Sequence, residues 1–279
     1  MKIWVTVLVI IALGASAWYF FRDGQVTEVP QEAVAIPAVK PAVTEPEPAP
    51  APDQGPGLAM EKRELDVPEL EEIPLPPLQD SDPLVKQTLS DLYGEAETVR
   101  YFVDEDIVAR AVANIDALDS RQVPEQIQAI IGPQDAFIAV EDPNPPTVIR
   151  NEMGDMEPQF LSDPANENRY TPYVEMLDAV DTGTLLSLYR SHYPLFQDAF
   201  AQLGYPDGNF NDRLKSIIDE LLATPEVNEP LRFVKPEAFY LFADEELEAL
   251  PAGQKVMIRM GSSNAAKVKS KLAEIRDEL

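Results

Sequence analysis

The chain has 279 residues, with 49 acidic against 22 basic side chains and a net charge of −27. A surface that negative repels nucleic acid and anionic lipid headgroups, which argues against a nucleic-acid partner. It holds no cysteine and one histidine, so disulfides, thiolate nucleophiles, cysteine metal sites and multi-histidine centres within one chain are excluded.

Residues 1–22, MKIWVTVLVIIALGASAWYFFR, carry no charge from Ile3 to Phe21. As a helix that run would span roughly 28 Å, close to the hydrocarbon thickness of a bilayer. Trp4 near one end, and Trp18, Tyr19, Phe20 and Phe21 at the other, suit the two interfaces. The expectation is a single-span transmembrane anchor that leaves the rest of the chain in the periplasm. Ala15-Ser16-Ala17 offers the alternative of a cleaved signal peptide and a soluble periplasmic protein, but the apolar run continues through four aromatics beyond it.

Residues 23–80 change character. Thirteen of the 27 prolines fall between Pro30 and Pro83, interleaved with Ala, Glu and Val. Such a stretch buries too little apolar surface to offset chain entropy and reads as a disordered, semi-stiff spacer.

Residues 81–279 are then one globular domain, itself at −19. Ser81 or Asp82 is the expected cap of a helix with Pro83 in its first turn and Leu84, Thr88, Leu89 and Leu92 on one face. A second helix buries Ile107, Val108, Ala111, Val112 and Ile115. AFIAV and PTVIR (136–140 and 146–150), joined by EDPNP, read as two short strands, although Pro145-Pro146 weakens the second. Thr171 is the expected cap of the next helix, with Val174, Leu177 and Val180 inward.

Residues 184–203 place Leu185, Leu188, Tyr189, His192, Phe196, Ala199, Phe200 and Leu203 in one helical stripe. Pro194 is expected to kink that helix or divide it. Gly204 ends it, and Asn209 or Asn211 caps a helix whose Leu214, Ile217, Ile218, Leu221 and Leu222 face the core. LRFVKPEAFYLFA gives two short extended segments or a strand leading into a helix. Three helices follow, the last two separated by Gly261, with Ser262 or Ser263 opening the final one. The expected fold is mainly α, or α+β with a small β-hairpin, behind the anchor and spacer.

Motifs for chemistry are scarce. Neither glycine-loop phosphate cradle is present, nor G-x-S-x-G or H-E-x-x-H. Asp207, Asn209 and Asn211 have calcium-loop spacing, but Asp212 replaces the glycine and Ile218 the bidentate glutamate. His192 in an apolar stripe is read as a packed ring, and Ser191 beside it points elsewhere on the helix. No cofactor, metal or catalytic residue is expected. Arginines beside aromatic or apolar residues stand out in so acidic a chain. Arg169, Tyr170, His192, Tyr205 and Arg213 are therefore the candidate binding residues, Arg and Tyr being enriched at hot spots. The plainer reading of Arg213 is a structural ion pair.

The blocks NRYTPYV, YPLFQDAF, LGYPDGNFNDRL, LLATPE, FADEELEAL and AGQKVMIRMG, in that order, resemble a bacterial membrane-anchored family of the domain-of-unknown-function series, number three thousand and fourteen. The resemblance spans about residues 81–279 and implies the same layout of anchor, proline-rich stretch and one carboxyl-terminal domain. It brings no catalytic set, ligand or partner. Together these features lead to the expectation of a tethered interaction or scaffolding module of the envelope, its partner an envelope protein or cell-wall polymer. A carboxylate-based hydrolase of envelope glycan and a small-ligand sensor are the alternatives.

Overall fold

The computed structural model describes residues 74–279 apart from 152, 237 and 238. The expected anchor and most of the expected spacer lie outside the described residues. Among those described, no helix is long and apolar enough to cross a membrane. Leu75 and Leu78, assigned to the spacer from sequence, pack against the core.

Apolar residues at three- and four-residue intervals build the helical part. Helix α1 (Asp82–Tyr93) buries Val85, Thr88 and Leu89 and lies against α2 (Glu95–Tyr101). Ser81 precedes α1, but its hydroxyl donates back to Leu78 O instead of capping. The Asp82 carboxylate instead accepts from the N–H groups of Asp106 and Ile107, across to the start of α3 (Ile107–Asp116). All five inward residues expected for α3 are buried.

Helix α4 (Thr171–Asp178) includes Thr171 in its first turn, and no side chain caps it. The cap formed nearby is one turn earlier, where the Asp163 carboxylate accepts from Ala165 N at the head of the 3-10 segment Pro164–Arg169. A real side-chain cap opens α5 (Thr182–Gln202), Asp181 accepting from Thr184 N. That helix runs unbroken through Pro194, so of the two expectations, kink or division, the division does not occur: burial along both sides of the proline offsets the lost backbone bond. Leu203, expected inward, is exposed beyond the helix end. There Gly204 takes a φ of +122°, a conformation that a Cβ disfavours.

Asn209 caps α6 (Phe210–Leu222), accepting from Asn211 N and Asp212 N, which accounts for the calcium-like run as cap chemistry. The carboxyl-terminal helices are α7 (Glu245–Glu248), α8 (Ala252–Arg259) and α9 (Ser262–Glu278). Helix α5 packs on α3, and α9 packs across α4, α5 and α6. The junction is tied by the buried Lys271, which donates to Val180 O at 2.9 Å, and by Arg276, which grips both oxygens of Asp219 at 2.7 and 3.0 Å.

The β part differs from the expected pairing. Strand β1 (Ala139–Glu141) pairs antiparallel with β2 (Gln159–Ser162), Val140 opposite Leu161. Residues 146–150 form no strand; Arg150 makes one isolated bridge, to Met156. Pro145 and Pro146 supply no N–H donors at the start of that run, and the chain beyond folds back on itself, Glu157 N donating to Ile149 O and Asn151 N to Asp155 O. Strand β3 (Arg232–Val234) joins β2, and β4 (Leu241–Phe242) closes the order β1-β2-β3-β4. The fold is therefore helix-rich with a small four-stranded antiparallel sheet. Buried Phe233 and Phe242 stack at 5.1 Å on one sheet face. Above them the Arg259 guanidinium lies 5.4 and 4.6 Å from the two ring centroids.

Candidate functional site

The five residues proposed from sequence do not form one surface. Arg169 and Tyr170 are buried, Arg169 lying 5.9 Å from the centroid of Phe137. His192 is 1% exposed. Its Nδ1 is 3.3 Å from Leu188 O and 2.9 Å from Ser191 Oγ, so the two neighbours do touch, contrary to the expectation from helical geometry. Ser191 Oγ also donates to Leu188 O at 3.0 Å, a local helix contact. Burial pushes the imidazole pKa down to about 4, which keeps it neutral. A ring closed off from any cleft suits packing, not proton transfer.

Tyr205 and Arg213 do converge, on the carboxyl end of α3. Arg213 Nε donates to Asp116 Oδ1 at 2.6 Å, and its Nη2 to Asp116 O and Asp119 Oδ2 at 2.7 and 2.8 Å. Tyr205 stacks on Phe200 with centroids 4.6 Å apart, and its hydroxyl reaches Asp116 at 3.4 Å. This is a strut between α3 and α6, the plainer of the two readings. Arg213→Ala is expected to lower stability by about 2 kcal/mol, since it deletes charge-assisted bonds and leaves Asp116 half-buried without its counter-charge. Urea denaturation followed by circular dichroism checks this, and an unchanged midpoint refutes it.

A cavity elsewhere gathers more chemistry. It has a volume of about 520 Å3 and lies between the β1–β2 pair, the 3-10 segment Pro164–Arg169, the chain entering β3, and the α8–α9 corner. Phe137, Val140, Leu161 and Leu231 make its apolar walls. Glu167 and Glu229 both line it, each set beside the turn that opens α9. Burial first, and the charge of Glu229 second, hold the Glu167 carboxyl above its usual range. Arg259 borders the same space, donating to Tyr240 O at 2.9 Å. Burial lowers its pKa to about 10, with Glu248 and Tyr170 opposing the shift.

The carboxyl pair is held at the amino end of α9. Glu229 Oε1 accepts from Ser262 N at 3.4 Å. The Glu167 carboxyl presses on Gly261, where a Cβ would overlap it. Gly261 also has a φ of +84°. Both facts require glycine, and both link the α9 start to the cavity. Gly261→Ala is expected to cost about 1–2 kcal/mol and to displace Glu167 from its place. Urea titration gives the first number; a variant as stable as the parent would contradict it.

Sequence reading missed Glu167 and Glu229. Arg259 and Gly261 were visible only as an arginine in an apolar run and a helix break. Among the described residues, no group of three or more His, Cys, Asp or Glu is arranged to hold a metal ion.

Fold and site together define, over the described residues, a helix-rich α+β domain with a mostly apolar cavity lined in part by Glu167 and Glu229. The chain belongs to the family DUF3014, described as a protein of unknown function, whose model matches residues 107–276. No curated protein and no solved structure matches it.

Proposed function

We propose that this protein is a membrane-tethered interaction module of the bacterial envelope. The apolar amino-terminal run acts as its inner-membrane anchor, the proline-rich stretch as its spacer, and the carboxyl-terminal domain binds a partner in the periplasm. The observation that carries this reading is the cavity beside β1. It is of ligand-binding size, its exposed lining is mostly apolar, and Glu167, Glu229 and Arg259 supply charged groups to it. Glycoside hydrolysis needs two carboxyl groups about 5 Å or more apart on either side of the bond to be cut. Glu167 and Glu229, both set beside the same Gly261–Ser262 turn, suit recognition better than that chemistry.

The test is in-cell cross-linking of the full-length chain followed by affinity purification, comparing the parent with Val140→Arg. Val140 is 46% exposed on the cavity wall, so the larger charged side chain blocks the cavity without disturbing the core. A defined envelope partner that is lost in the variant supports the module. Identical capture by both proteins, or capture of nothing, counts against it.

A further inference from the structure

The cavity has a neighbour. A second one, of about 450 Å3, lies on the far side of Glu229 and Leu231, walled by Val227, Met257 and Ala265. Glu229 and Leu231 line both, so the two hollows adjoin at this stretch of chain. Resting on the binding-module reading above, we propose that the two hollows take an extended basic segment of a partner protein. A lysine or arginine side chain reaches in between Glu167 and Glu229, and an apolar neighbour fills the second hollow.

Four features of the molecule carry this assignment. The apolar walls of the larger cavity suit the methylene stem of a long basic side chain. Glu167 and Glu229 both line it beside the Gly261–Ser262 turn, where a cation donates charge-assisted hydrogen bonds to carboxylate oxygens. The basic groups nearby are already engaged: Arg259 with Tyr240 O, Arg169 against the Phe137 ring, and Lys269 with Thr224 O at 2.6 Å. Asp163 adds a further carboxylate to the wall. The domain's excess of acidic side chains favours encounter with a basic partner. Two adjoining hollows can take neighbouring side chains of one extended peptide, whereas a single small amine fills only one.

The experiment titrates detergent-solubilised full-length protein with acetyl-Ala-Val-Lys-Val-Ala-amide by calorimetry. In parallel arms, norleucine replaces the lysine, and n-hexylamine stands for a free amine. The lysine peptide is expected to bind, and norleucine to weaken binding by about tenfold or more, the worth of a charge-assisted bond. Glu167→Gln and Glu229→Gln are expected to do the same while keeping the parent's circular dichroism and thermal midpoint. Equal affinity for the norleucine peptide, unchanged affinity in both glutamine variants, or no lysine-peptide binding overturns the proposal. Hexylamine binding as tightly as the peptide overturns the extended-segment assignment. If Val140→Arg loses a cross-linked partner while the lysine peptide fails to bind, the basic-segment assignment falls and the module stands. Peptide binding without any partner captured in cells has the opposite meaning.

Discussion

Phe210→Ala is expected to lower the stability of the domain by about 3–5 kcal/mol, the range for emptying a large aromatic site in a packed core. Phe210 is fully buried at the first position of α6. Its ring is stacked on Phe196 at 6.0 Å and 9°, and is tilted against Phe200 and Tyr189 at 5.6 and 6.4 Å. One ring thereby joins the α6 start to three positions of the α5 stripe. Its backbone N–H is also tied to that helix, donating to Gln197 Oε1 at 3.0 Å. Truncation leaves three aromatic neighbours facing a void that cannot collapse, because α5 is held from its other sides by α3 and α9. Phe210→Leu keeps most of the volume and should cost less than half as much. Urea denaturation of the solubilised protein, read by far-ultraviolet circular dichroism, measures both. A loss under about 1 kcal/mol for the alanine variant would mean that this aromatic group is not the joint between α5 and α6.

The second expectation concerns acid. His192 has a pKa near 4 in the folded chain against an ordinary value of 6.5. Between those values the unfolded chain binds a proton that the folded chain refuses. The stabilisation is therefore fully present above pH 6.5 and is lost progressively as pH falls toward 4. The slope is about 1.4 kcal/mol per pH unit, and the whole window amounts to about 3 kcal/mol. Many carboxylates titrate over the same range, so the comparison is between the parent and His192→Asn, each unfolded in urea at a series of pH values. The parent should lose about 2–3 kcal/mol more than the variant between pH 7 and pH 4. Parallel pH profiles would show that the imidazole accepts its proton in the folded state, and the packed-ring account would fail.

Both expectations rest on helices whose existence was legible in the sequence. In α3, α5 and α6 the apolar spacing is local and strongly periodic, and it marked His192 and its neighbours as one buried stripe. Asn209 and Gly204 were legible as punctuation because cap and left-handed turn chemistry belongs to single residues. The capping errors at Ser81 and Thr171 have a common cause. Each follows a short 3-10 segment, whose Leu78 O accepts from Ser81 N and whose Glu167 O accepts from Tyr170 N, and sequence pattern does not separate that turn from the helix it feeds.

The sheet was much less legible. AFIAV was recognised as extended, but its partner is QFLS and not PTVIR, and β2 in turn pairs with a strand beyond α6. Which strands pair depends on contacts between distant parts of the chain, and short apolar runs carry no address for their partners. The cavity lies further still from direct reading. Glu167 lies within a capped 3-10 segment, Glu229 precedes β3, and Arg259 ends α8; nothing in their local sequence joins them. In a chain with 49 acidic residues, two particular carboxyl groups cannot be singled out by composition.

The sequence by itself determined the charge of the domain, the exclusion of thiol and multi-histidine chemistry, the order of the principal helices, and the family blocks. Those properties are additive or short-range. Tertiary structure alone decided that the partners of Arg213 are Asp116 and Asp119, and that Glu167 and Glu229 both reach the start of α9. Such pairings follow from packing helices and strands together, and the free energy of packing belongs to contacts between segments rather than to any segment alone.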